Sequence, residues 1–395
     1  SWKQAQHGGQ EGTGGGNHLL WGGASLADNP FFPRPAWLAG LLRYWQHHPS
    51  LSYLFSGDSV GPASQAPRPD EALGTIFDLE LAYRQLELAE DRPSMEPWGD
   101  HRALIGETLR HLHADRSGNN HRAEVSFDKF WNPGAPAGCL GLIEFRAMES
   151  LPTADWMAAI ALLWTSLAAL LLDPERRPRT LRHWGAELHD RMLLPSQLRA
   201  DLQAVLAELA AAGLPLQAEV FDAIWAWRFP VLLDWHDPAS GAALEVRQAL
   251  EPWPLICDTP REGGFTSRVV DGSMRRVELI ANPALRERWQ LRLQGRALPL
   301  GAAPQAVRWR EQRLYPCLHP GIAPEGPLVL ELEPRASGPT APTPIQRWRL
   351  APGAAGIEPH SPEPPRQAPQ SDPAWPRPPG CTLDLRLAQM GDPNG

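Results

Sequence analysis

The stretch that decides how this chain is interpreted is residues 117–148, SGNNHRAEVSFDKFWNPGAPAGCLGLIEFRAM. It has the pattern of two strands joined by a loop rich in proline and glycine. Side chains two residues apart on a strand point to the same side of the sheet. The predicted polar side therefore carries Arg122, Glu124, Ser126 and Asp128 on the first strand, and Glu144 and Arg146 on the second. The predicted apolar side carries Ala123, Val125, Phe127, Ile143, Phe145 and Ala147.

Two interpretations of this polar side are open. Carboxylates can hold Mg²⁺ and guanidinium groups can hold phosphoryl oxygens, so neighbouring Glu and Arg side chains suit a metal–phosphate site. The alternative is a solvated sheet face with cross-strand ion pairs, each of which contributes little stability. The pattern of residues 117–148 is compatible with both.

The composition limits the class of protein. The chain has 395 residues, of which 43% are hydrophobic and 21% charged, as in soluble globular proteins with more than one domain. A net charge of −8 argues against nonspecific nucleic-acid binding, which needs a basic surface. Lysine occurs only at Lys3 and Lys129, so 35 of the 37 basic residues are arginine. This excess of arginine indicates a codon bias more than a function.

We predict neither a membrane span nor an oxidising compartment. Residues 156–172 carry no charge, but 17 residues are at the lower limit for a span, and Asp155 and Asp173 flank them. A buried core helix is the expected structure. The four cysteines are scattered without a close pair, which argues against a zinc ribbon and fits a reducing compartment such as the cytoplasm.

The pattern predicts an α+β fold in four segments. Residues 1–150 contain the strand pair, and residues 151–228 are predicted to be a helical segment that packs on it. Short β-rich runs separated by turn signals predict a small antiparallel β domain at 229–335. Residues 336–395 are rich in Pro, Ala, Ser and Gly and are expected to be a disordered tail.

Several stretches resemble one family, in the same order along the chain. They are TGGGNHLLWGGAS, YWQHHPSLSYLFSG, GPASQAPRPDEA, GNNHRAEVSFDKF, GLIEFRAME, LHDRMLLP, RQALEPW and CLHP. Together they resemble the bacterial amidoligase family of glutamine synthetase-like carboxylate–amine ligases, often fused to an N-terminal transglutaminase-like domain. The resemblance implies the C-terminal half of a glutamine synthetase-like antiparallel sheet with helices, within residues 1–150.

The resemblance also implies roles for individual residues, with ATP and Mg²⁺ as cofactors. His18, Glu144 and Glu124 are implied as metal ligands, with Glu124 alternatively the partner that orients Arg122. The remaining implied site residues are Arg122 and Arg146, as catalytic groups that hold the phosphoryl group, and Gly15 and Gly16 of the glycine-rich loop.

Two residues depart from the pattern of glutamine synthetase. Leu20 stands where a second histidine is found there, and Gln65 replaces the glutamate of the ammonium pocket. The second departure favours an amine larger than ammonia.

The implied function is ATP-dependent amide-bond formation through an acyl phosphate, between a peptide or small carboxylate and an amine. Few residues precede the glycine-rich loop, so we expect the chain to be the C-terminal part of such an enzyme. It would then depend on an upstream part of the same polypeptide and be inactive alone. The alternatives are a noncatalytic binding or scaffold module, and a transglutaminase-associated protein whose activity lies on a missing N-terminal domain.

Overall fold

The computed structural model describes most of the chain. The described residues are 2–4, 10–12, 17–57, 60–61, 68–72, 76–114, 120, 123–260, 266–311, 326–335, 345–351, 354–360, 374–375 and 380–388. Helices and strands are both well represented, so the predicted α+β class is confirmed.

The helices and strands are numbered in chain order. The α-helices are α1 (Pro35–His47), α2 (Ser50–Tyr53), α3 (Pro69–Ala72), α4 (Phe77–Glu90), α5 (Arg102–Leu109), α6 (Ala154–Leu170), α7 (Glu187–Asp190), α8 (Pro195–Ala211), α9 (Ala218–Arg228) and α10 (Pro283–Arg288). The strands before α9 are β1 (Trp2–Gln4), β2 (Gln10–Gly12), β3 (Leu19–Trp21), β4 (Val125–Ser126) and β5 (Ile143–Phe145). The strands after α9 are β6 (Val231–Asp237), β7 (Ala242–Ala249), β8 (Leu255–Pro260), β9 (Thr266–Val270), β10 (Met274–Ala281), β11 (Trp289–Leu293), β12 (Arg296–Leu298), β13 (Gln305–Arg310), β14 (Leu328–Pro334), β15 (Gln346–Leu350), β16 (Glu358–Pro359) and β17 (Thr382–Asp384). Short 3₁₀ helices lie at Pro174–Arg176 and Leu385–Ala388.

A three-stranded antiparallel sheet, in the order β3–β5–β4, lies at the centre of the N-terminal part of the chain. Strand β5 is central, with Glu144 opposite Leu20 of β3 and opposite Ser126 of β4. Beyond β4, the Arg146 N–H donates to the Glu124 carbonyl at 2.8 Å. The predicted strand pair is therefore present, although β4 and β5 are only two and three residues long.

The apolar face of this sheet is buried, and two charged side chains of the other face are mostly covered. Val125, Ile143 and Phe145 have no exposed surface, as the predicted apolar side requires. On the polar side, Glu144 and Arg146 are each only 6% exposed. Glu144 and Arg146 are therefore covered, although Leu20 opposite Glu144 is 47% exposed and ion pairs are present on this face, as the alternative expected.

Helix α6 packs behind the sheet. The Thr153 hydroxyl accepts the Trp156 N–H and caps its first turn. Trp164 of α6 is fully buried, and its ring lies 5.0 Å from that of Phe145 and 4.8 Å from that of Trp45 in α1. One hydrophobic core thus joins the sheet to α1, α4–α6, α8 and α9. No described helix is long and apolar enough to cross a membrane.

The second part of the chain forms two five-stranded sheets. Their orders are β17–β13–β10–β7–β6 and β12–β11–β14–β15–β16, and all strand pairs are antiparallel except β13 with β17. A second core between them includes Leu244, Trp309, Leu330 and Trp348. We call these ten strands the sandwich.

The Pro-rich segment 336–395, expected to be a disordered tail, contributes three strands to this sandwich. Strand β15 pairs with β14, β16 pairs with β15, and β17 pairs with β13. Trp348 and Leu350 of β15 and Leu383 of β17 are buried in the second core. Composition hid β15 and β16 because each is short and lies in proline-rich sequence, whereas residues 381–389, CTLDLRLAQ, have the pattern of a strand, and β17 lies there.

Buried polar contacts connect the sandwich to the helices. Arg276 of β10 is fully buried and donates to the carbonyls of His189 at 2.8 Å and Leu250 at 2.7 Å. Glu278 accepts the backbone N–H and hydroxyl of Ser196, in the first turn of α8. The helical part and the sandwich therefore share specific hydrogen bonds.

Candidate functional site

A cluster of charged side chains occupies the polar side of the three-stranded sheet. The His18 Nδ1 atom lies 2.7 Å from Glu144 Oε1, Lys129 Nζ lies 3.3 Å from the same oxygen, and Arg146 Nη1 lies 3.0 Å from Glu144 Oε2. We call these four residues the Glu144 cluster. The strand register explains the arrangement, because His18 precedes β3 and lies level with Arg146 on the same face.

The electrostatics of the cluster keep Glu144 ionised. Burial alone would raise the pKa of this carboxyl group. The hydrogen bond with His18 and the positive charges of Arg146 and Lys129 outweigh burial and lower the pKa below its ordinary value. One carboxylate thus faces two permanent cations and an imidazole, and the cluster has an excess of positive charge.

Two buried donor or acceptor atoms of the cluster have no hydrogen-bond partner among the residues that the structure describes. They are the Nε2 atom of His18 and the Nε atom of Arg146. Buried polar atoms in native proteins are nearly always paired, so an unpaired one needs an explanation. Both atoms could bind a ligand.

Glu124, on the adjacent strand, has a different partner. Its carboxylate lies 3.5 Å from His113 Nδ1, and His113 Nε2 lies 3.1 Å from the hydroxyl of Tyr83. Burial raises the pKa of Glu124, and the contact with His113 offsets only part of this increase. Strand alternation assigned the correct face to Glu124 but could not identify His113, which follows α5.

We predict that the Glu124→Gln variant changes how stability depends on pH. The folded protein favours the protonated form of Glu124, because the folded pKa is above the ordinary value of 4.5. Ionisation therefore lowers the free energy of unfolding of the wild type as the pH rises from 4.5 through the raised pKa. The variant lacks this ionisation, so it should gain stability relative to the wild type over that window.

Urea unfolding at several pH values measures this difference. Glu107→Gln on α5 is a suitable control, because the Glu107 side chain is 62% exposed. Parallel pH curves for the wild type and Glu124→Gln would show that the pKa of Glu124 is not raised.

A second buried cluster joins three of the stretches quoted above. The Tyr53 hydroxyl donates to Glu71 Oε1 at 2.6 Å, and His189 Nε2 lies 2.6 Å from the same oxygen. The Arg68 backbone N–H donates to the other oxygen of Glu71 at 3.0 Å. Burial would raise the pKa of Glu71, but these hydrogen bonds lower it. Because the carboxylate of Glu71 is fully paired, the cluster has a structural role in joining α2, α3 and α7.

Comparison with known protein families identifies the family of this chain. A sequence profile of the family described as "Putative amidoligase enzyme (DUF2126)" matches residues 3–341. The chain belongs to this family. The matched region includes the three-stranded sheet, all ten helices and the sandwich strands up to β14. No curated protein and no solved structure matches the chain.

The structure brings together three of the residues that the resemblance to amidoligases implied. His18, Glu144 and Arg146 contact one another directly or through Glu144. Gly15, Gly16 and Arg122 lie outside the described residues, as does Gln65.

Lys129 is the residue of the Glu144 cluster that sequence reasoning missed. It lies within the 117–148 stretch and is one of only two lysines in the chain. Its rarity was a usable signal, but the residue follows β4 in a turn, where strand alternation makes no prediction.

The cluster fits only part of a site for Mg²⁺. The buried Nε2 atom of His18 has no hydrogen-bond partner among the described residues and could act as a ligand, whereas Glu144 contacts Nδ1 on the opposite side of the ring and would orient the imidazole. Among the described residues, no group of three or more His, Cys, Asp or Glu side chains is placed to hold a metal ion. The set of His18, Glu144 and Glu124 is therefore not assembled, because the Glu124 side chain contacts His113 instead.

Proposed function

We propose that this amidoligase family member is an ATP-dependent carboxylate–amine ligase, in which the Glu144 cluster binds the phosphoryl group of ATP. The family match supports the ligase class. The observation that carries the proposal is the convergence of His18, Arg146 and Glu144 on one side of the central sheet, with two buried polar atoms left unpaired.

The proposed reaction has two steps. A carboxylate oxygen attacks the terminal phosphorus of ATP, the bond to the ADP oxygen breaks, and an acyl phosphate forms. The amine nitrogen then attacks the acyl carbon, inorganic phosphate leaves, and the nitrogen loses a proton. Negative charge is concentrated on the phosphoryl oxygens in the first step, so fixed positive charge beside them lowers the barrier.

Arg146 is suited to hold these oxygens. Glu144 fixes one end of its guanidinium group at 3.0 Å, while Nε remains unpaired. A guanidinium held this way is oriented in advance and loses little freedom when it binds an anion. Arg122 is proposed as a second such group on the basis of the resemblance.

Mg²⁺, when bound, would neutralise phosphate charge, and His18 is the described residue that would hold it, through Nε2, with Glu144 orienting the imidazole ring. Further ligands would have to come from outside the described residues. We propose a peptide or small carboxylate and an amine as the substrates. Because Gln65 replaces the glutamate of the ammonium pocket of glutamine synthetase, we propose an amine larger than ammonia.

The test is the binding of ATP and adenosine, measured by isothermal titration calorimetry on the purified protein. The wild type should bind ATP more tightly, because adenosine lacks the phosphates. His18→Gln and Arg146→Lys should each weaken ATP binding by about tenfold, the effect of one charge-assisted hydrogen bond, and leave adenosine binding unchanged.

Arg84→Gln on α4 is the control, because the Arg84 side chain is 64% exposed and lies far along the chain from the Glu144 cluster, in an ion pair with Glu87. Thermal unfolding shows whether each variant is folded. A wild type that binds ATP no more tightly than adenosine would reject the proposed function.

A further inference from the structure

We propose that Lys129 is a phosphate-binding residue, whose ammonium group moves from Glu144 to the terminal phosphoryl group of ATP when the nucleotide binds. This inference rests on the proposed function and adds to it a residue that the resemblance to amidoligases did not imply. Four observations carry it, and they concern the anchoring, the exposure, the neighbours and the chemistry of the side chain.

The backbone of Lys129 is firmly anchored. Its carbonyl accepts the backbone N–H of Leu140 at 3.0 Å and that of Leu142 at 3.3 Å. Phe127 and Phe130, on either side, are 1% and 0% exposed. The base of the side chain is therefore fixed beside the start of β5, and only the flexible methylene chain has to move.

Exposure within the cluster increases toward Lys129. The Arg146 side chain is 6% exposed, that of His18 is 21% exposed, and that of Lys129 is 42% exposed. At 3.3 Å, the contact of Lys129 Nζ is also the longest of the three to Glu144. Lys129 is thus the cation of the cluster that can leave Glu144 most readily to meet a ligand from solvent.

The unpaired atoms beside Lys129 suit an anion with several oxygens. Arg146 is more than nine-tenths buried, and neither its Nε atom nor the buried Nε2 atom of His18 has a hydrogen-bond partner among the described residues. A phosphoryl group offers three oxygens and could accept from Lys129 and Arg146 together. Glu144 would remain as the positioning residue that keeps Arg146 and His18 in place.

The chemistry of lysine fits this movement better than that of arginine. An ammonium group is a compact charge on a flexible stem with three donors, and it can exchange one acceptor for another without a fixed plane. Arginine supplies 35 of the 37 basic residues of the chain, yet the exposed cation at this site is a lysine. Lysine is thus the basic residue type better suited to the proposed movement from Glu144 to the phosphoryl group.

The test compares ATP with ADP, because only ATP carries the terminal phosphoryl group. Isothermal titration calorimetry on the wild type and on Lys129→Gln should show ATP affinity reduced by about tenfold and ADP affinity unchanged. Lys129→Arg should recover part of the ATP affinity, since it keeps the positive charge. Thermal unfolding should change little in both variants, because the Lys129 side chain is partly exposed and makes only one of the three contacts of the cluster to Glu144.

Arg199→Gln is the matched control. The Arg199 side chain is also 42% exposed and has one ion pair, with Asp222 at 2.9 Å, so the variant removes the same charge from a distant helix. If Lys129→Gln weakens ATP and ADP equally, or weakens neither, the role of Lys129 is rejected and the proposed function stands. If the wild type binds ATP no more tightly than adenosine, the proposed function fails and this inference fails with it.

Discussion

Replacing Trp164 by alanine should lower the free energy of unfolding by about 3–5 kcal/mol, the usual cost of deleting a large aromatic side chain from a core. Trp164 has no exposed surface and contacts the rings of Trp45 and Phe145 at 4.8 and 5.0 Å. Its indole N–H has no partner in the described part of the chain, so we attribute the expected loss to packing.

The same variant should also impair the Glu144 cluster. Phe145 lies between Glu144 and Arg146 on β5, and its ring packs on Trp164. A cavity behind this three-residue strand removes the support that holds both charged side chains in place. We therefore expect Trp164→Ala to weaken ATP binding even at a temperature at which the variant is folded.

Denaturant unfolding and calorimetry on one set of variants measure both effects. Leu162→Ala, on the exposed side of the same helix at 55% exposure, should change stability by less than about 0.5 kcal/mol. Trp164→Phe should lie between this control and Trp164→Ala, because it keeps an aromatic ring. A loss below about 1 kcal/mol for Trp164→Ala would show that the aromatic cluster does not support the sheet.

Replacing Arg276 by alanine should cost about 3–5 kcal/mol, as is usual when one member of a buried ion pair is removed. Arg276 is fully buried and its Nε lies 3.2 Å from Glu251, which is 7% exposed. Burial lowers the pKa of Arg276 to about 10, and the charge of Glu251 opposes this decrease. Without Arg276, Glu251 keeps only the contact with Arg308 at 3.4 Å.

A double-mutant cycle identifies the source of this loss. If the unpaired carboxylate causes it, adding Glu251→Gln to Arg276→Ala should recover part of the lost stability. Arg292→Ala is the control, since the Arg292 side chain is 33% exposed and its pair with Glu333 lies at the surface. Equal losses for Arg276→Ala and Arg292→Ala would show that burial of the Arg276 pair has no special importance.

The sequence predicted structure correctly where the alternation or periodicity of apolar residues matches the side that is buried. Strand alternation in 117–148 placed Glu144 and Arg146 on one side of a strand and Phe145 on the other, and the structure has this arrangement. The buried core helix predicted at residues 156–172 is α6. These predictions succeed because the apolar periodicity of each element matches the core that covers it.

The partners of individual side chains could not be predicted in the same way. Alternation fixes the face of Glu124, but the choice of His113 depends on how α5 meets the sheet. Lys129 reaches Glu144 from a turn, where no periodicity applies. The short strand β17 pairs with β13, some 70 residues earlier in the chain. The sequence of residues 382–384 does not identify that partner.

The hydrogen bonds from Ser196 to Glu278 affect where the chain could be truncated. Short β-rich runs begin at about Phe229, so the sequence suggests that the chain could be cut there, between the helices and the sandwich. The carboxylate that accepts the backbone N–H of Ser196, in the first turn of α8, nevertheless comes from β10, about 80 residues downstream. A shortened polypeptide ending at Arg228 would remove this acceptor from the start of α8. The boundary of the helical region in space therefore differs from its boundary in sequence.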